Sequence, residues 1–398
     1  MLSVDQHRAA VAALLPVTPT VRLPLAECLG LALAEPVSAP LPLPQFDNSA
    51  MDGYAVRVAD VAAARDSTPV MLPVCEDLPA GRTDSPPLQP GTAHRIMTGA
   101  PIPPGADTVV PVEHTDGGRY QVRIDTAGQP GANIRRAGDD VATGAVVLDA
   151  ATVLGPAQLG VAAAVGCAEL PVRRRVRVLV LSTGSELVEP GGRLEHGQIY
   201  ESNGTLLTAA VREAGGHAEQ LHFVPDEVEQ LDATLAERLA RFDLLVTSGG
   251  VSAGAYEVVK DAMAGHGVDF VTVAMQPGSP QGAGRYRGVA VAALPGNPVS
   301  SSVSFEVFVR PALRAAMGLP ATRPQRTARV AAALDSPSGK RQFRRGALDS
   351  DSGVVTPVGG PGSHLLGALA RSDCLIEIDE ETTAVPSGTV LPVLVTSP

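Results

Sequence analysis

An alternation of strand-like and helix-like segments between residues 176 and 317 constrains the fold of this chain more than any other feature. The run VRVLVL at residues 176–181 is continuously apolar, which is typical of a strand covered on both faces. The stripe formed by Leu231, Leu235 and Leu239 is typical of the helical segments that alternate with such runs. The alternation predicts a mostly parallel α/β sheet with right-handed crossover connections. The predicted strands are 176–181, 221–224, 243–247, 270–273 and 289–294, and the predicted helices are 206–214, 231–239, 256–264 and 299–317.

The segments on either side of this alternation predict smaller parts that are rich in β-structure. An N-terminal helix ends at Pro16, and the prolines within residues 39–56 favour an extended region that carries loops. Short strand-like runs at 108–112 and 120–124 are separated by Gly and Pro turns, which indicates a β-rich insert. The runs that predict a small C-terminal β-barrel or sandwich are 328–334, 354–358, 374–378 and 389–395. The predicted fold class is therefore a multidomain α/β protein, which suits a chain of 398 residues.

Charge and composition exclude several classes of function. The net charge is −11 and there is no tryptophan, so we expect no broad basic and aromatic surface for nucleic acid. No run approaches the roughly 20 apolar residues that a membrane span needs, and residues 1–10 lack a signal-peptide pattern. The four cysteines are scattered without a C-x-x-C pair, which argues against a zinc site or a disulfide framework. We therefore expect a cytoplasmic protein that binds neither nucleic acid nor membrane.

Three loops that follow predicted strands carry small or hydroxyl-bearing residues. They are 182–186, 247–252 and 295–298. The carboxyl ends of parallel strands would bring these loops to one rim of the sheet. In the second loop, Gly249 and Gly250 would let backbone N–H groups approach a phosphate, and Ser248 and Ser252 add hydroxyl donors. A Ser-Gly-Gly turn alone is more often a tight connection than a ligand site, but three such loops after three strands favour an anion-binding site.

Carboxylates and arginines add further candidate ligands. The carboxylates are Asp52, Asp140, Glu186, Asp226 and Glu257. Such oxygen ligands suit Mg²⁺, which takes one or two carboxylates plus substrate phosphates. Structural roles are also open, since Asp226 and Glu229 form a capping-box pattern and Glu257 falls in the first turn of a predicted helix. The arginines Arg341, Arg344 and Arg345 could bind an oxyanion through forked hydrogen bonds or form a solvated basic edge.

A series of motifs extends from Pro44 to about Ser363. They are PQFDNSAMDGYA at 44–55, RIMTGA at 95–100, NIRRAGDD at 133–140, STGSEL at 182–187, GQIYESN at 197–203, SGGVS at 248–252 and LPGNP at 294–298. In this order they resemble the molybdopterin molybdenumtransferase family, which includes the MoeA proteins and the C-terminal domain of gephyrin. The first motif is long enough to be highly specific by itself.

The resemblance implies an elongated homodimer that performs the last step of molybdenum-cofactor synthesis. In that step molybdate is inserted into the dithiolene of adenylylated molybdopterin, and AMP is released. It also implies an active site shared between the subunits, and contacts with the adenylyltransferase and with molybdoenzyme apo-proteins. The domains that it implies are 1–56 with 137–172 (elongated N-terminal domain), 57–136 (β-rich insert), 173–319 (molybdopterin-binding α/β domain) and 320–398 (C-terminal β-barrel).

Carried over motif by motif, the resemblance also implies the residues of the site. Its catalytic residues are Asp52, Glu186, Asp226 and Glu257, of which the last three are also the implied Mg²⁺ ligands. The residues implied to bind the pterin nucleotide from the α/β domain are Ser182, Thr183, Gly184, Ser248, Gly249, Gly250, Val251, Ser252 and Lys260. Asp52, Thr98 and Asp140 would approach from the partner subunit. The residues implied on the molybdate side are Pro295, Pro298, Lys340 or Arg345, and Ser363, and the resemblance also implies that Gly296 and Asn297 bind the cofactor.

The chain departs from the family pattern at several positions. Ser279 stands where the family commonly has Lys, Thr272 and Gln276 are also uncharged, and Glu257 stands where the family usually has Asp. Two alternatives stay open. One is a molybdopterin adenylyltransferase, because that activity resembles a stand-alone version of the α/β domain. The other, motivated by the uncharged positions, is a catalytically weakened paralogue that binds pterin or organises partner proteins.

Overall fold

The computed structural model describes residues 1–224, 227–250 and 258–396, and the chain divides into two units. The first unit contains Met1–Arg22, Gly30–Ala34 and Pro171–Pro398. The second unit contains Leu23–Leu29 and Glu35–Leu170. Within the described ranges, no helix combines the length and the apolar character that crossing a membrane requires.

Residues 1–170 fold mainly into short strands. The α-helices of this part are α1 (Val4–Leu14), α2 (Val58–Val61) and α3 (Pro156–Ala164), and 3₁₀ turns occupy Leu25–Glu27 and Val112–His114. The strands are β1 (Thr20–Pro24), β2 (Val37–Ser38), β3 (Asn48–Ser49), β4 (Gly53–Val56), β5 (Val70–Leu78), β6 (Ala93–Ile96), β7 (Thr108–Pro111), β8 (Gln121–Ile124), β9 (Ile134–Arg135) and β10 (Val146–Leu148). Helix α1 begins after Ser3, whose side chain and backbone form a capping box with Gln6. The helix ends at Leu14, before the predicted stop at Pro16.

A five-stranded sheet forms the β-rich part of the second unit. Its strand order is β7-β4-β6-β5-β8, with β5 and β6 parallel and the other neighbours antiparallel. Tyr54, Val122 and Ile124 are completely buried in one apolar cluster beneath it. The β-rich insert expected from the runs at 108–112 and 120–124 is therefore confirmed.

The next part of the chain alternates strands and helices. The strands are β11 (Glu169–Arg173), β12 (Arg177–Thr183), β13 (Leu187–Val188), β14 (Ile199–Tyr200), β15 (His217–Val224), β16 (Leu244–Ser248), β17 (Val268–Thr272), β18 (Met275–Gln276), β19 (Pro280–Tyr286) and β20 (Val289–Leu294). The helices are α4 (Asn203–Glu213), α5 (Val228–Arg238), α6 (Val258–Met263), α7 (Pro298–Ser304) and α8 (Arg310–Ala316). A 3₁₀ turn occupies Leu239–Arg241, and the π-helical segment Phe305–Val309 joins α7 to α8.

A six-stranded sheet organises this part in the order β15-β12-β16-β20-β19-β17. The first four strands are parallel, and β19 and β17 are antiparallel to their neighbours. Val178 and Val180 of β12 pack with residues of α4 and α7, whereas Leu179 and Leu181 pack with residues of α5 and α6. Both faces of the sheet are therefore covered, which explains the continuous apolar run and confirms the predicted mostly parallel α/β sheet.

The last part of the chain forms a closed barrel. Its elements are β21 (Gln325–Val330), β22 (Leu334–Asp335), β23 (Arg341–Asp349), β24 (Val354–Pro357), α9 (Leu366–Leu369), β25 (Cys374–Ile378), β26 (Ala384–Val385) and β27 (Val390–Val395). Five strands follow the order β23-β24-β21-β27-β25, and a further pairing of β25 with β23 closes the ring. Strand β18 adds to β23, so the barrel is hydrogen-bonded to the segment that follows β17. The predicted C-terminal barrel is confirmed.

Candidate active site

A cavity of about 1450 Å³ lies at the carboxyl ends of β12, β16 and β20, in the first unit. The three loops expected from the sequence all contribute to its wall. The predicted site residues that line it are Ser182, Thr183, Gly184, Glu186, Ser248, Gly249, Gly250, Pro295, Gly296, Asn297, Pro298 and Ser363. We call this cavity the cleft.

The Gly249–Gly250 turn is tightly constrained on both sides. The φ angles are 94° at Gly249 and 69° at Gly250, a region that L-residues with a side chain rarely adopt. A Cβ atom on Gly250 would lie 3.0 Å from Cβ of Val259, and one on Gly296 would lie 3.3 Å from Cα of Gly249. The N–H of Gly249 donates to the carbonyl of Leu294 at 3.1 Å, which joins the second and third loops through their backbones. The turn therefore presents bare backbone to the cleft.

Asn203 joins the same two loops through its side chain. Its Nδ2 donates to Ser248 Oγ at 2.8 Å and to the carbonyl of Gly296 at 2.6 Å. Ser248 Oγ also lies 2.9 Å from Ser301 Oγ, and the hydroxyl of Ser301 donates to the carbonyl of Pro295. The Ser248 hydroxyl, expected as a ligand donor, thus also fixes the position of the loop that carries it.

Glu201 performs the corresponding task for the first loop. Its side chain is buried, and Oε1 accepts from Ser182 Oγ at 2.9 Å and from the N–H of Gly204 at 2.5 Å. Its Oε2 accepts from Gln220 Nε2 at 3.0 Å. The carboxylate therefore ties the end of β12 to the start of α4 and to β15.

Glu201 and Asn203 belong to the motif at 197–203, but the sequence predicts no role for either of them. They follow β14, which has two residues and lies outside the central sheet, so the search for polar loops after apolar strands passed over them. One signal in the sequence could have pointed to this segment. Asn203 is a polar residue at the first position of an amphipathic helix.

The charge of the described cleft wall is negative. The wall contains the carboxylates of Glu186, Glu201 and Glu227 and the imidazole of His364. Within the ranges that the structure describes, it contains no Lys or Arg side chain. Lys260 and Lys340 lie outside this wall; Lys260 is in α6, where its N–H donates to the carbonyl of Gly250 at 3.1 Å.

Arg345 also lies outside the cleft wall, on β23. Its Nη2 donates to the carbonyl of Gly360 at 2.5 Å, one residue before the cleft-lining segment that starts at Pro361. Its Nε is buried and has no hydrogen-bond partner among the residues that the structure describes, and burial lowers the pKa of its guanidinium. Arg344 and Arg345 are 9% and 3% exposed, so the alternative of a solvated basic edge is wrong for these two side chains.

The predicted Mg²⁺ ligands can be compared with the structure only in part. Glu186 is exposed at the cleft wall, and its carboxylate accepts no hydrogen bond from a described residue. Asp226 and Glu257, together with Val251 and Ser252, lie outside the described residues. Within the described ranges no group of three His, Cys, Asp or Glu side chains is arranged to hold a metal ion.

The remaining predicted residues lie in the second unit. Asp52 Oδ1 accepts from the N–H of Thr98 at 2.7 Å and from Thr98 Oγ1 at 2.8 Å. The backbone hydrogen bond from Thr98, followed by the hydroxyl, lowers the pKa of Asp52. The structure thus brings Asp52 and Thr98 together and keeps an exposed carboxylate ionised. Asp140 lies in a bend of the same unit, where its N–H donates to the carbonyl of Leu43 at 3.0 Å.

Comparison with known proteins identifies the family. Family models match along nearly the whole chain: the MoeA N-terminal region (domain I and II) at residues 2–166, a probable molybdopterin binding domain at 179–315, and the MoeA C-terminal region (domain IV) at 327–396. Molybdopterin molybdenumtransferase 2 of Mycobacterium tuberculosis is 55% identical over 99% of this chain and 99% of its own length. The chain belongs to the MoeA family.

Other members of the MoeA family agree with this assignment. Molybdopterin molybdenumtransferase 1 of Mycobacterium tuberculosis is 38% identical over 99% of this chain and 98% of its own length. The crystal structure of a molybdopterin biosynthesis MoeA protein from Pyrococcus horikoshii superposes with a TM-score of 0.85 at 30% identity, covering 100% of both chains. The similarity therefore extends over both units and the barrel.

Three of the positions at which the chain departs from the MoeA family pattern lie in the described ranges, and each takes part in a hydrogen bond. Ser279 Oγ donates to the carbonyl of Val273 at 2.8 Å. Gln276 lines the cleft, and its Oε1 accepts from Gln342 Nε2 at 2.5 Å. The carbonyl of Thr272 accepts from the N–H of Leu2 at 2.9 Å. The Gln276 side chain therefore accepts a hydrogen bond that a lysine side chain, which has no acceptor, would not make.

Proposed function

We propose that this chain is a molybdopterin molybdenumtransferase, which inserts molybdate into adenylylated molybdopterin and releases AMP. The observation that carries the proposal is that the three loops that follow β12, β16 and β20 line one cavity of about 1450 Å³. This volume exceeds the roughly 300–1000 Å³ of ordinary small-molecule sites, which suits a pterin nucleotide together with a metal oxyanion. Relatives of matching length that are named molybdenumtransferases favour this activity over adenylylation.

The Gly249–Gly250 turn is proposed to receive the phosphates of the pterin nucleotide. Its positive φ angles and the absence of side chains allow a phosphate to come close to the backbone. Glu201 and Asn203 hold the flanking loops in place before the substrate arrives, so little ordering is needed on binding. Positioning of the phosphoanhydride is expected to supply much of the rate enhancement, because the chemistry needs little proton transfer from the protein.

Mg²⁺ is the proposed metal, and the described donor set fits it. Glu186 offers one solvent-exposed carboxylate that accepts no hydrogen bond from a described residue. Mg²⁺ typically takes one or two carboxylates, substrate phosphates and water. Asp226 and Glu257 are the further proposed ligands. The ion would neutralise charge that develops on the phosphates. Glu186→Gln should raise the Mg²⁺ concentration needed for half-maximal AMP release.

Asp52, with Thr98 and Asp140, is proposed to reach the cleft of a partner subunit in a homodimer. Asp52 is exposed and ionised, and the hydrogen bonds from Thr98 fix its carboxylate in one orientation. We expect Asp52→Ala to keep the fold and the dimer but to abolish turnover. Circular dichroism and AMP release measured on the same preparation check this, and unfolding of the variant would favour a structural turn instead.

The activity is tested by incubating the purified protein with adenylylated molybdopterin, Mg²⁺ and molybdate. AMP release that depends on molybdate, with formation of active cofactor, is the expected result. No AMP at any molybdate concentration would contradict the proposal, and ATP-dependent adenylylation of molybdopterin would support the adenylyltransferase instead. We further propose that the protein acts in the cytoplasm and delivers its product to molybdoenzyme apo-proteins.

The weakened-paralogue alternative is tested at Ser279. Ser279→Lys introduces the cation that the family pattern commonly has at this position. A gain in molybdate affinity or in the rate of AMP release would support a loss of activity in this chain. Unchanged kinetics would argue against a weakened paralogue, because they would show that this position needs no cation. The hydroxyl of Ser279 donates to the carbonyl of Val273 in the present structure.

A further inference from the structure

A second cavity of about 600 Å³ lies in the first unit, beside helix α8 and the segment that leads into the barrel. Its wall is formed by Arg310, Arg314, Pro320, Thr322, Arg323, Pro324 and Gln325. None of these residues lines the cleft. We call this cavity the arginine cavity. Its three basic side chains contrast with the negative wall of the cleft.

Two of the three arginines are buried and are held by carboxylates. Arg323 donates to Glu306 Oε2 and to Glu213 Oε2, each at 2.9 Å. Arg310 lies 3.3 Å from Glu213 Oε1 and 3.7 Å from Glu306 Oε2. The side chains of Arg310 and Arg323 are 7% and 9% exposed, so the network holds two guanidinium groups rigidly at the cavity wall.

The third arginine has no carboxylate partner within the described ranges. Arg314 Nε donates to the carbonyl of Pro320 at 2.6 Å, and Nη1 donates to the carbonyl of Ala214 at 3.4 Å. Three guanidinium charges and two carboxylate charges leave the cluster with a net charge of +1. Burial lowers the pKa of Arg314, the charge of Arg310 lowers it further, and the charge of Glu213 raises it.

The wall of the arginine cavity also offers uncommitted hydrogen-bond donors. Each guanidinium has five N–H groups in a fixed fork. Arg310 uses Nε and Nη2 toward Glu213, which leaves Nη1 without a partner among the described residues. Arg314 uses Nε and Nη1, which likewise leaves its Nη2 without a partner among the described residues. Arg310 and Arg314 are four residues apart on α8, so their side chains project from one face of the helix.

We propose that the arginine cavity binds the phosphate group of a small anionic ligand. Tetrahedral oxyanions accept hydrogen bonds on several oxygens at once, which matches two guanidinium groups that converge from one helix face. The net positive charge favours an anion in a protein whose overall charge is −11. The cavity is larger than a phosphate ion needs, so both inorganic phosphate and a small phosphomonoester fit. The proposal does not depend on the activity assigned to the cleft.

The test is calorimetric titration of the full-length protein with inorganic phosphate and, in a second arm, with glycerol 3-phosphate. We expect saturable binding that includes one equivalent per chain that depends on Arg314. Arg314→Gln should weaken it roughly tenfold or more, as the loss of charge-assisted hydrogen bonds implies. Arg314→Lys, which keeps the charge and loses the fork, should retain part of the affinity. Tighter binding of the ester than of the ion would identify the ester as the ligand class.

Two control variants locate the binding. Arg326 is an exposed arginine outside the cavity wall whose Nη1 donates to Ser350 Oγ at 3.2 Å, so Arg326→Gln should leave the affinity unchanged. Gly250→Ala perturbs the turn proposed to receive phosphates in the cleft, so it removes phosphate bound there and should leave the equivalent that depends on Arg314 unchanged. The proposal is overturned if neither ligand binds saturably, if Arg314→Gln binds as tightly as the wild type, or if Gly250→Ala abolishes binding while Arg314→Gln does not.

Discussion

Replacing Gly250 with alanine tests whether the Gly249–Gly250 turn is built for the close approach of a ligand. The φ angle of Gly250 is 69°, and the left-handed conformation costs an L-residue roughly 1–2 kcal/mol. The added Cβ would also lie 3.0 Å from both Cβ and Cγ2 of Val259, whereas carbon atoms normally pack at about 3.5–4.0 Å. The turn must therefore shift, and we expect the affinity for adenylylated molybdopterin to fall at least tenfold. The melting temperature should fall by about 2–8 °C.

Gly288→Ala is the matched control for this experiment. Gly288 lies between β19 and β20 in the same unit with φ of 82°, and a Cβ placed there meets no atom within 4 Å. It therefore carries a similar backbone cost without the steric contact and away from the cleft. Scanning calorimetry should show a loss of stability for both variants, larger for Gly250→Ala because of its steric contact with Val259, while titration with the pterin nucleotide should show a loss of affinity only for Gly250→Ala. Unchanged affinity in Gly250→Ala, or an equal loss in Gly288→Ala, would refute the reasoning.

Further predictions concern buried carboxylates. Glu201→Ala removes the acceptor that Ser182, Gly204 and Gln220 share, and denaturant titration should show a loss of about 2–4 kcal/mol in the free energy of unfolding. Glu201→Gln retains one acceptor oxygen and should cost about 1 kcal/mol; equal losses in the two variants would contradict this account. Burial alone would raise the pKa of Asp243, but hydrogen bonds from Arg174 and then Arg177 lower it well below 3.8. A lowered carboxyl pKa stabilises the fold above the unfolded-state pKa and loses that effect as the pH falls through the folded-state pKa, so Asp243→Asn should destabilise the protein most at pH 7 and progressively less as the pH falls below 3.8, measured as melting temperature against pH.

The central sheet could be predicted from the sequence because its strands are covered on both faces. The predicted strand at 289–294 matches β20, and 243–247 differs from β16 by one residue at each end. Strand β19 was missed because Gly282 and Gly284 read as turn residues. The structure explains both glycines: a Cβ would lie 2.9 Å from the ring of Phe270 at Gly282 and 2.1 Å from the carbonyl oxygen of Gly267 at Gly284. Close packing with a neighbouring strand, which a single sequence does not reveal, selects glycine there.

Strand β23 was missed for a different physical reason. Its start carries Arg341, Arg344 and Arg345, and a run of arginines usually marks a solvated surface. In the fold, the carbonyl groups of Gly359 and Gly360 accept hydrogen bonds from the two buried guanidinium groups. Backbone acceptors supplied by a turn 15 residues away leave no trace in the local sequence pattern.

The candidate site was predictable in its loops and less so in its supporting contacts. Polar residues after apolar strands identified the wall that contains Ser182, Ser248 and Pro295. The contacts of Glu201 and Asn203 depend on how the segment after β14 folds back over the sheet, which no periodicity describes. The ligand roles carried over from the family motifs, including those of Asp52 and Arg345, stay predictions.

The closure of the C-terminal strands into a ring has a consequence for how molecules of this protein can associate. Each of the five strands in the ring has a neighbour on both sides, so this part of the described chain offers no free row of backbone donors and acceptors along a full strand. Another polypeptide has no complete free strand edge in this ring to pair with, since the first residues of β23 already pair with β18. Any contact made through this surface must rely on side chains, where single substitutions can tune its strength.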